Sequence, residues 1–436
     1  MSLTALIYLL VFFAGVVATL LYSPVFGILL YELQYLVNPP GRWWYANLPD
    51  LRYSFFLMVL VAASYLLRHG DYRENRFLAY PQSKWLAAMT LLMLVTYLWA
   101  LDPQLHLDTI IRYLKVLLFV VVAFKVTDAA WKLESVLGAY LLGIGYLSFI
   151  IWQTGRTGSG RMEGIGSADG TDANGTASLV TTAIPILVFY ALFARRRWQQ
   201  VASVGGLAFT LNALILLNSR GAFLALALSG AYFCLFVFRE KGLKGQKVKI
   251  LAGIVAAACL FVYLADEVFW TRMSTMTEVS ASQEVETHSR IEYWKKTPEM
   301  LEAHPLGGGA QTYKILSPYY LPKEWLSGGR RVVHSTWFEV LSEYGYHGLL
   351  IFLGYVVSTF MLARKVRKRL REDGDTYHLF QCLALESSWL AMLVGCSFIN
   401  SLYGEITYWL PMFIAAFASI HLKGKGEPAA AVLQAR

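Results

Sequence analysis

Arginines stand where an otherwise apolar chain has little reason to place them: Arg156 and Arg161 in a glycine-rich stretch, Arg220 in LNSRGAFLA, then Arg290, Arg330 and Arg331. A guanidinium presents a planar fork of N–H donors that matches phosphate oxygens two at a time. Several of them converging at the edge of a membrane point to an anionic ligand of the diphosphate type. A lipid-linked diphosphate would carry its charge at that depth. Arg220 is the sharpest case. An ionisable residue in a very short turn between two apolar runs is costly unless it snorkels to headgroups, pairs with a carboxylate or binds a ligand. Gly221 beside it leaves room for another backbone or a ligand. Arg112 and Lys115 share one helical face of DTIIRYLKVLL. They would either add charge to the same rim or pair with Glu32.

The stretch VVHSTWFEVLSEYGYHG supplies an imidazole, His334. Thr336-Trp337-Phe338-Glu339 has the spacing of a capping box, in which Thr and Glu side chains satisfy the free amides of a first helical turn. His334 would then sit two residues before the cap, at the positive end of the helix dipole. That field favours the neutral imidazole, the form a general base must have before it takes a proton. The plainer alternative is a histidine hydrogen-bonded at a helix entrance; His288, His304 and His347 have no comparable setting. Metal-ligand spacing (HExxH, CxxC, paired His) does not occur in the outside segments. Asp373-Gly374-Asp375 reads as a solvated linker, so neither a metal nor a cofactor is expected.

These residues sit in a chain of 436 residues that is 56% hydrophobic and only 15% charged, too little charge to wet the surface of a soluble protein of this size. Apolar runs recur at 3–21, 24–38, 53–67, 84–101, 107–126, 133–153, 176–194, 200–217, 221–238, 248–265, 336–363, 379–400 and 405–421. The first lacks a basic lead-in and a small-residue cleavage site, and reads as a retained span. The run at 24–38 is short and carries Glu32 and Gln34, as a partial or tilted element would. About twelve transmembrane helices are expected, in an all-α polytopic membrane fold. The net charge of +9 is topology rather than nucleic-acid affinity: Arg195–Arg197, Arg239–Lys249, Arg364–Arg371, Lys423 and Lys425 fill short connectors and mark the cytoplasmic face. The 154–175 loop, the Asn218–Arg220 turn and the 266–335 segment then fall outside. Residues 1–265 thus read as spans with a Gly-rich loop at 154–175, 266–335 as a mainly helical outside loop domain, 336–422 as C-terminal spans and 423–436 as a disordered cytoplasmic tail. Four cysteines inside apolar runs predict buried thiols and no disulfide framework.

Four stretches, in order, resemble the O-antigen ligase and O-antigen polymerase superfamily of bacterial membrane glycosyltransferases. They are Asp172-Ala173-Asn174-Gly175-Thr176-Ala177 after the Gly-rich loop; Ser219-Arg220-Gly221-Ala222; Arg290 to Trp294 leading to His304-Pro305-Leu306-Gly307-Gly308-Gly309; and His334 through Glu343-Tyr344-Gly345-Tyr346-His347-Gly348. The family's usual His-Asn is His334-Ser335 here, and its Asp-Pro-Asn is Asp172-Ala173-Asn174. The resemblance covers roughly residues 155–400 and is most like an O-antigen ligase. It implies a fold of the GT-C type in the bacterial inner membrane, with a periplasmic active site. It also implies a glycan donor linked to undecaprenyl diphosphate, a lipid A–core acceptor, and inverting transfer without metal or nucleotide sugar. His334 would activate the acceptor hydroxyl; Arg220 and Arg290 would bind the donor diphosphate, joined by Arg161, with Arg112 and Lys115 on the same rim. Asp172, Asn174 and Glu343 would support them. A polymerase or a protein O-oligosaccharyltransferase of the same superfamily is the nearest alternative. From another class the alternative is a flippase for the lipid-linked glycan, against which stand charges at the rim rather than the midplane and the lack of internal repeats.

Overall fold

The computed structural model describes residues 2–156, 160–240, 244–265, 267–274 and 281–422; the expected tail at 423–436 lies outside these. Among them the regular structure is helical: α1 (Leu3–Leu21), α2 (Val25–Val37), α3 (Tyr53–Leu67), α4 (Pro81–Thr96), α5 (Pro103–Val126), α6 (Ala130–Thr154), α7 (Ala173–Phe193), α8 (Arg197–Leu217), α9 (Arg220–Arg239), α10 (Lys244–Leu264), α11 (Glu267–Ser274), α12 (Ala281–Ala303), α13 (Thr312–Tyr320), α14 (Thr336–Glu372), α15 (Thr376–Gly395) and α16 (Ile406–His421). The fold is an all-α polytopic membrane fold. Each apolar run named above contains a helix. Among the described residues, seven helices are long and apolar enough to cross a membrane, or eight if the bent pair that begins at Tyr53 counts as one span.

Their surfaces say what surrounds them. Leu3, Ile7, Leu10 and Phe13 of α1 are exposed, as are Leu251, Ile254 and Val255 of α10. Apolar surface this continuous belongs to a lipid-facing helix. By contrast α7 is buried along almost its whole length and packs on α8, α9 and α15, and α16 is buried from Ile406 to Ser419. Cys382 and Cys396 are buried as expected, but Cys234 is half-buried and Cys259 is exposed. The correction follows from α9 and α10 both presenting apolar side chains outward, Leu228 and Leu235 of α9 among them, where a thiol can face hydrocarbon.

α2 is a buried helix of 13 residues. At 1.5 Å per residue it is roughly 20 Å long, short of a hydrocarbon core. It ends at Asn38 in the left-handed region, φ 47°. The Asn38 side chain donates to Ser167 O at 3.1 Å, and Ala168 N donates to Tyr35 O at 3.0 Å. The short helix therefore ends against the glycine-rich loop and holds it in place.

α14 starts with a short arm and kinks at Gly345, whose φ of 64° and ψ of −170° a side chain would resist. The kink exists because another chain segment occupies that space. Gly309 N donates to Glu343 O at 2.9 Å, and a Cβ on Gly307 would stand 2.4 Å from that same oxygen. The His304–Gly309 stretch thus needs its glycines to lie backbone-to-backbone on the arm of α14. Gly307→Ala, at φ 78° and against backbone, is expected to destabilise the protein by more than about 1 kcal/mol. A drop in the thermal midpoint of detergent-purified protein would register it; an unchanged midpoint would mean the packing is looser than described.

The segment between the last α10 residue and α14 carries its own apolar cluster of Tyr293, Met300, Tyr313, Leu316, Leu321 and Val333. Trp294 stacks on Phe338 at 5.4 Å and 8° between planes, which lays α12 along the arm of α14. The helices alternate in direction. The 160–175 loop, Asn218–Arg220, residues 304–335 and 396–405 therefore meet at one end of the bundle, and the Arg/Lys-rich connectors lie at the other.

Candidate functional site

At that end a cavity of about 610 Å³ opens between α2, α5, α7, the arm of α14 and the α15–α16 connector. Its wall is chemically divided. Arg112, Lys115 and Lys314 supply cations; Asp169, Asp172, Glu339, Glu343 and Glu405 supply carboxylates.

Arg112 donates to Thr109 Oγ1 at 3.2 Å. The pairing of Arg112 or Lys115 with Glu32 does not occur: Glu32 is fully buried on α2 near Tyr140, and neither of its oxygens meets a hydrogen-bond partner among the described residues. Helix spacing alone cannot show which face of α2 the carboxylate takes.

Two of the sequence stretches meet at Asn174. Its Oδ1 accepts from Arg161 Nη2 at 3.2 Å and from Ser219 Oγ at 2.9 Å. Ser219 is the N-cap of α9 and Arg220 its first residue. Asp172 caps α7 by accepting from Gly175 N at 2.8 Å. Glu163 ties the loop down, accepting from Ala173 N at 2.9 Å and pairing with Arg161 Nε at 3.2 Å. The first turns of α7 and α9 are thereby held together with Arg161 and Arg220, and two positive helix ends add to two guanidinium charges. Asp172 and Gly175 also line the cavity, so this cluster adjoins it through a single helical turn. Arg290 lies one turn before Trp294 on α12, on the side that faces α14.

Glu343 organises the third and fourth stretches. Its carboxylate accepts from Gln311 N at 2.6 Å and from the Tyr403 hydroxyl, which also bonds the Tyr344 hydroxyl at 2.6 Å. His106 works beside it: Nδ1 accepts from Ala310 N at 2.9 Å, which leaves the proton on Nε2 to reach Met93 O at 3.0 Å.

His334 has φ 52°, a left-handed conformation uncommon for a residue with a side chain. It is half-buried and follows directly on Val332 and Val333 of the cavity wall. The expected capping box is not formed. Ser335 is the N-cap and makes no side-chain cap. The Thr336 hydroxyl donates to Ile399 O and accepts from Ser401 N, both at 2.9 Å, and Glu339 accepts from Leu402 N at 3.1 Å. These groups serve the α15–α16 connector, a distant segment whose own amides need partners, and so the local cap loses. His334 still stands just ahead of the helix. Asp373 and Asp375 hold connectors, Asp373 pairing with Arg369 at 3.0 Å and Asp375 capping α15.

The far wall was not legible as a site. Asp169 Oδ2 accepts from the Tyr35 hydroxyl at 2.6 Å and from Glu405 N at 2.7 Å, and Glu405 Oε1 accepts from the Tyr31 hydroxyl at 2.9 Å. Burial, then the neighbouring Asp169 charge, pushes the Glu405 carboxyl up to about 8, and burial raises Asp169 as well. A carboxyl between two apolar runs was the available signal. The folded state holds a proton here that the unfolded chain releases above about 4.5. Stability is therefore lost as pH rises toward 8. The thermal midpoint should be lower at pH 9 than at pH 6, and Glu405→Gln should flatten that slope; a midpoint that climbs with pH would contradict it.

Fold and site together define a multi-pass membrane protein with a cation-bearing polar cavity at one end of its helices. Residues 205–353, about a third of the chain, match the O-antigen ligase family model (Wzy_C); the match supports the O-antigen ligase superfamily and, in general, glycosyltransferase activity of that type. The matched region contains Arg220, Arg290, His334 and Glu343; Arg112, Lys115, Arg161, Asp172 and Asn174 lie before it. No curated protein matches the chain.

Proposed function

We propose that the protein moves a glycan from undecaprenyl diphosphate to a sugar hydroxyl of lipid A–core, as an O-antigen ligase of the bacterial inner membrane working at its periplasmic face. The observation that carries this reading is the Asn174 junction. It gathers Arg161, Ser219-Arg220 and two helix N-termini beside a polar cavity lined by Val332 and Val333, the two residues before His334. The basic connectors at the opposite end support the orientation, by the positive-inside rule.

In the proposed reaction His334 takes the proton of the acceptor hydroxyl as its oxygen attacks the anomeric carbon of the donor sugar. The new C–O bond forms while the bond from that carbon to the phosphate oxygen breaks. The electron pair stays on the diphosphate, and a single displacement inverts the anomeric centre. Arg220 and Arg290, with Arg161, meet the charge growing on that leaving group, and Arg112 and Lys115 extend the cationic rim. Charge stabilisation by fixed donors of this kind usually dominates such barriers. Guanidinium groups supply the neutralising charge without a metal or nucleotide sugar. Asp172, Asn174 and Glu343 act through position: a helix cap, a bridge between Arg161 and Ser219, and a brace for the arm below His334. Membrane lipids surround the donor's prenyl tail.

The test is transfer by purified protein to lipid A–core, to a second lipid-linked repeat and to a Ser/Thr-containing protein in separate reactions. Transfer to lipid A–core alone supports the ligase; transfer only to one of the others replaces the acceptor, and moves the assignment to the polymerase or the protein glycosyltransferase.

A further inference from the structure

Asp169 and Glu405, on the far wall of the cavity, have no part in the chemistry above. Glu405 is nine-tenths buried, lines the cavity, and has one oxygen bonded to Tyr31 while Oε2 makes no hydrogen bond of normal geometry. The indole N–H of Trp409, one turn along α16, faces the Glu405 carboxyl. Asp169 beside it is open to the cavity, and its Oδ2 is fixed by the Tyr35 hydroxyl and the Glu405 amide. Tyr35 stands over the Trp409 ring at 4.8 Å and Tyr31 on Phe119 at 4.2 Å, so both phenols are held rigidly.

From this arrangement we infer that Asp169 and Glu405, with Tyr31 and Tyr35, form a subsite for a sugar ring, binding the hydroxyls of a neutral sugar and disfavouring one that carries a carboxylate. The inference rests on the glycosyltransferase reading. Vicinal hydroxyls both donate and accept, and this wall offers both. Asp169 is an acceptor; Glu405, raised to about 8 by burial and by Asp169, keeps a proton to donate at neutral pH. Rigid aromatic rings supply apolar surface at small entropic cost. A sugar carboxylate would meet the Asp169 carboxylate, the like-charge juxtaposition that disfavours wrong ligands. The cations Arg112, Lys115 and Lys314 lie on the same cavity, available for a diphosphate while the acids address the sugar.

Saturation-transfer NMR on the purified full-length protein, with maltose as the neutral probe and a uronic-acid disaccharide of equal length, tests this without any turnover. The signal from maltose is expected to exceed that from the uronic acid by at least about tenfold. Asp169→Asn, which keeps side-chain shape but removes the charge, should narrow that ratio at least severalfold, and Glu405→Gln, which keeps a donor there, should change it less. Tyr35→Phe keeps the ring packing and should weaken the maltose signal alone. Equal signals from both sugars, no signal from either, or a ratio unmoved in folded variants would each overturn the subsite. Native protein that shows the sugar preference but no transferase activity would instead count against the catalytic reading. In a transfer assay, a raised KM for the lipid-linked donor marks the ring as the donor's, and a raised KM for the core acceptor marks it as the acceptor's.

Discussion

His334→Ala is expected to lower the transfer rate of the purified protein by about 10²–10⁴-fold, the usual loss on removing a positioned base. The backbone conformation sharpens this expectation. His334 sits at φ 52°, where a side chain costs of order 1–3 kcal/mol unless its surroundings hold it there. His334→Gly should therefore be at least as stable as the native protein, and as inactive as the alanine variant. A residue kept only for structure would behave in the opposite way, losing stability and retaining turnover. Thermal midpoint and initial rate, measured on the same three proteins, separate the two. Near-normal transfer by either variant would remove His334 from the chemistry.

Arg220→Ala is expected to cost about 10²–10³-fold in kcat, on the scale of losing one fixed donor to a developing anion. Arg220→Lys is the more informative variant. It keeps the charge but not the fork of donors, so activity should stay well below native if the guanidinium grips a diphosphate through two oxygens. Ser219, which Asn174 holds at 2.9 Å, fixes the turn from which Arg220 projects. Ser219→Ala should thus produce a smaller loss in the same direction. If Arg220→Lys and native protein turned over equally, the residue would be a counter-charge at a span boundary and no more.

How far the sequence could be read depends on the range of the forces involved. Apolar runs report burial in lipid directly, and every run found in the sequence contains a helix, including the short α2, whose Glu32 and Gln34 marked it as something other than an ordinary span. Motif pairs were legible as chemistry before they were legible as neighbours: Asn174 with Ser219, and Gly307–Gly309 with Glu343–Gly345, are joined in space across 45 and about 36 residues of chain. The capping box failed because Thr336 and Glu339 had two sets of amides to serve. The unsatisfied ones of the α15–α16 connector, more than 60 positions away, took them. Glu32 failed as a partner for Arg112 and Lys115 because spacing fixes which residues share a helix face, not the direction that face takes in the bundle. Asp169 and Glu405 stayed hidden for the same reason. Each is an ordinary acid in a connector until folding sets Glu405 N 2.7 Å from the Asp169 carboxylate.

The central claim is that this site breaks the bond between a glycan and its lipid diphosphate and passes the glycan to a hydroxyl. Purified protein in nanodiscs, given a labelled undecaprenyl-diphosphate glycan and lipid A–core with a metal chelator present, tests it most directly. The account predicts labelled glycan on lipid A–core and an equal amount of free undecaprenyl diphosphate, with neither product formed by His334→Ala. Donor recovered intact, or carried across the bilayer with its sugar–phosphate bond unbroken, would contradict it.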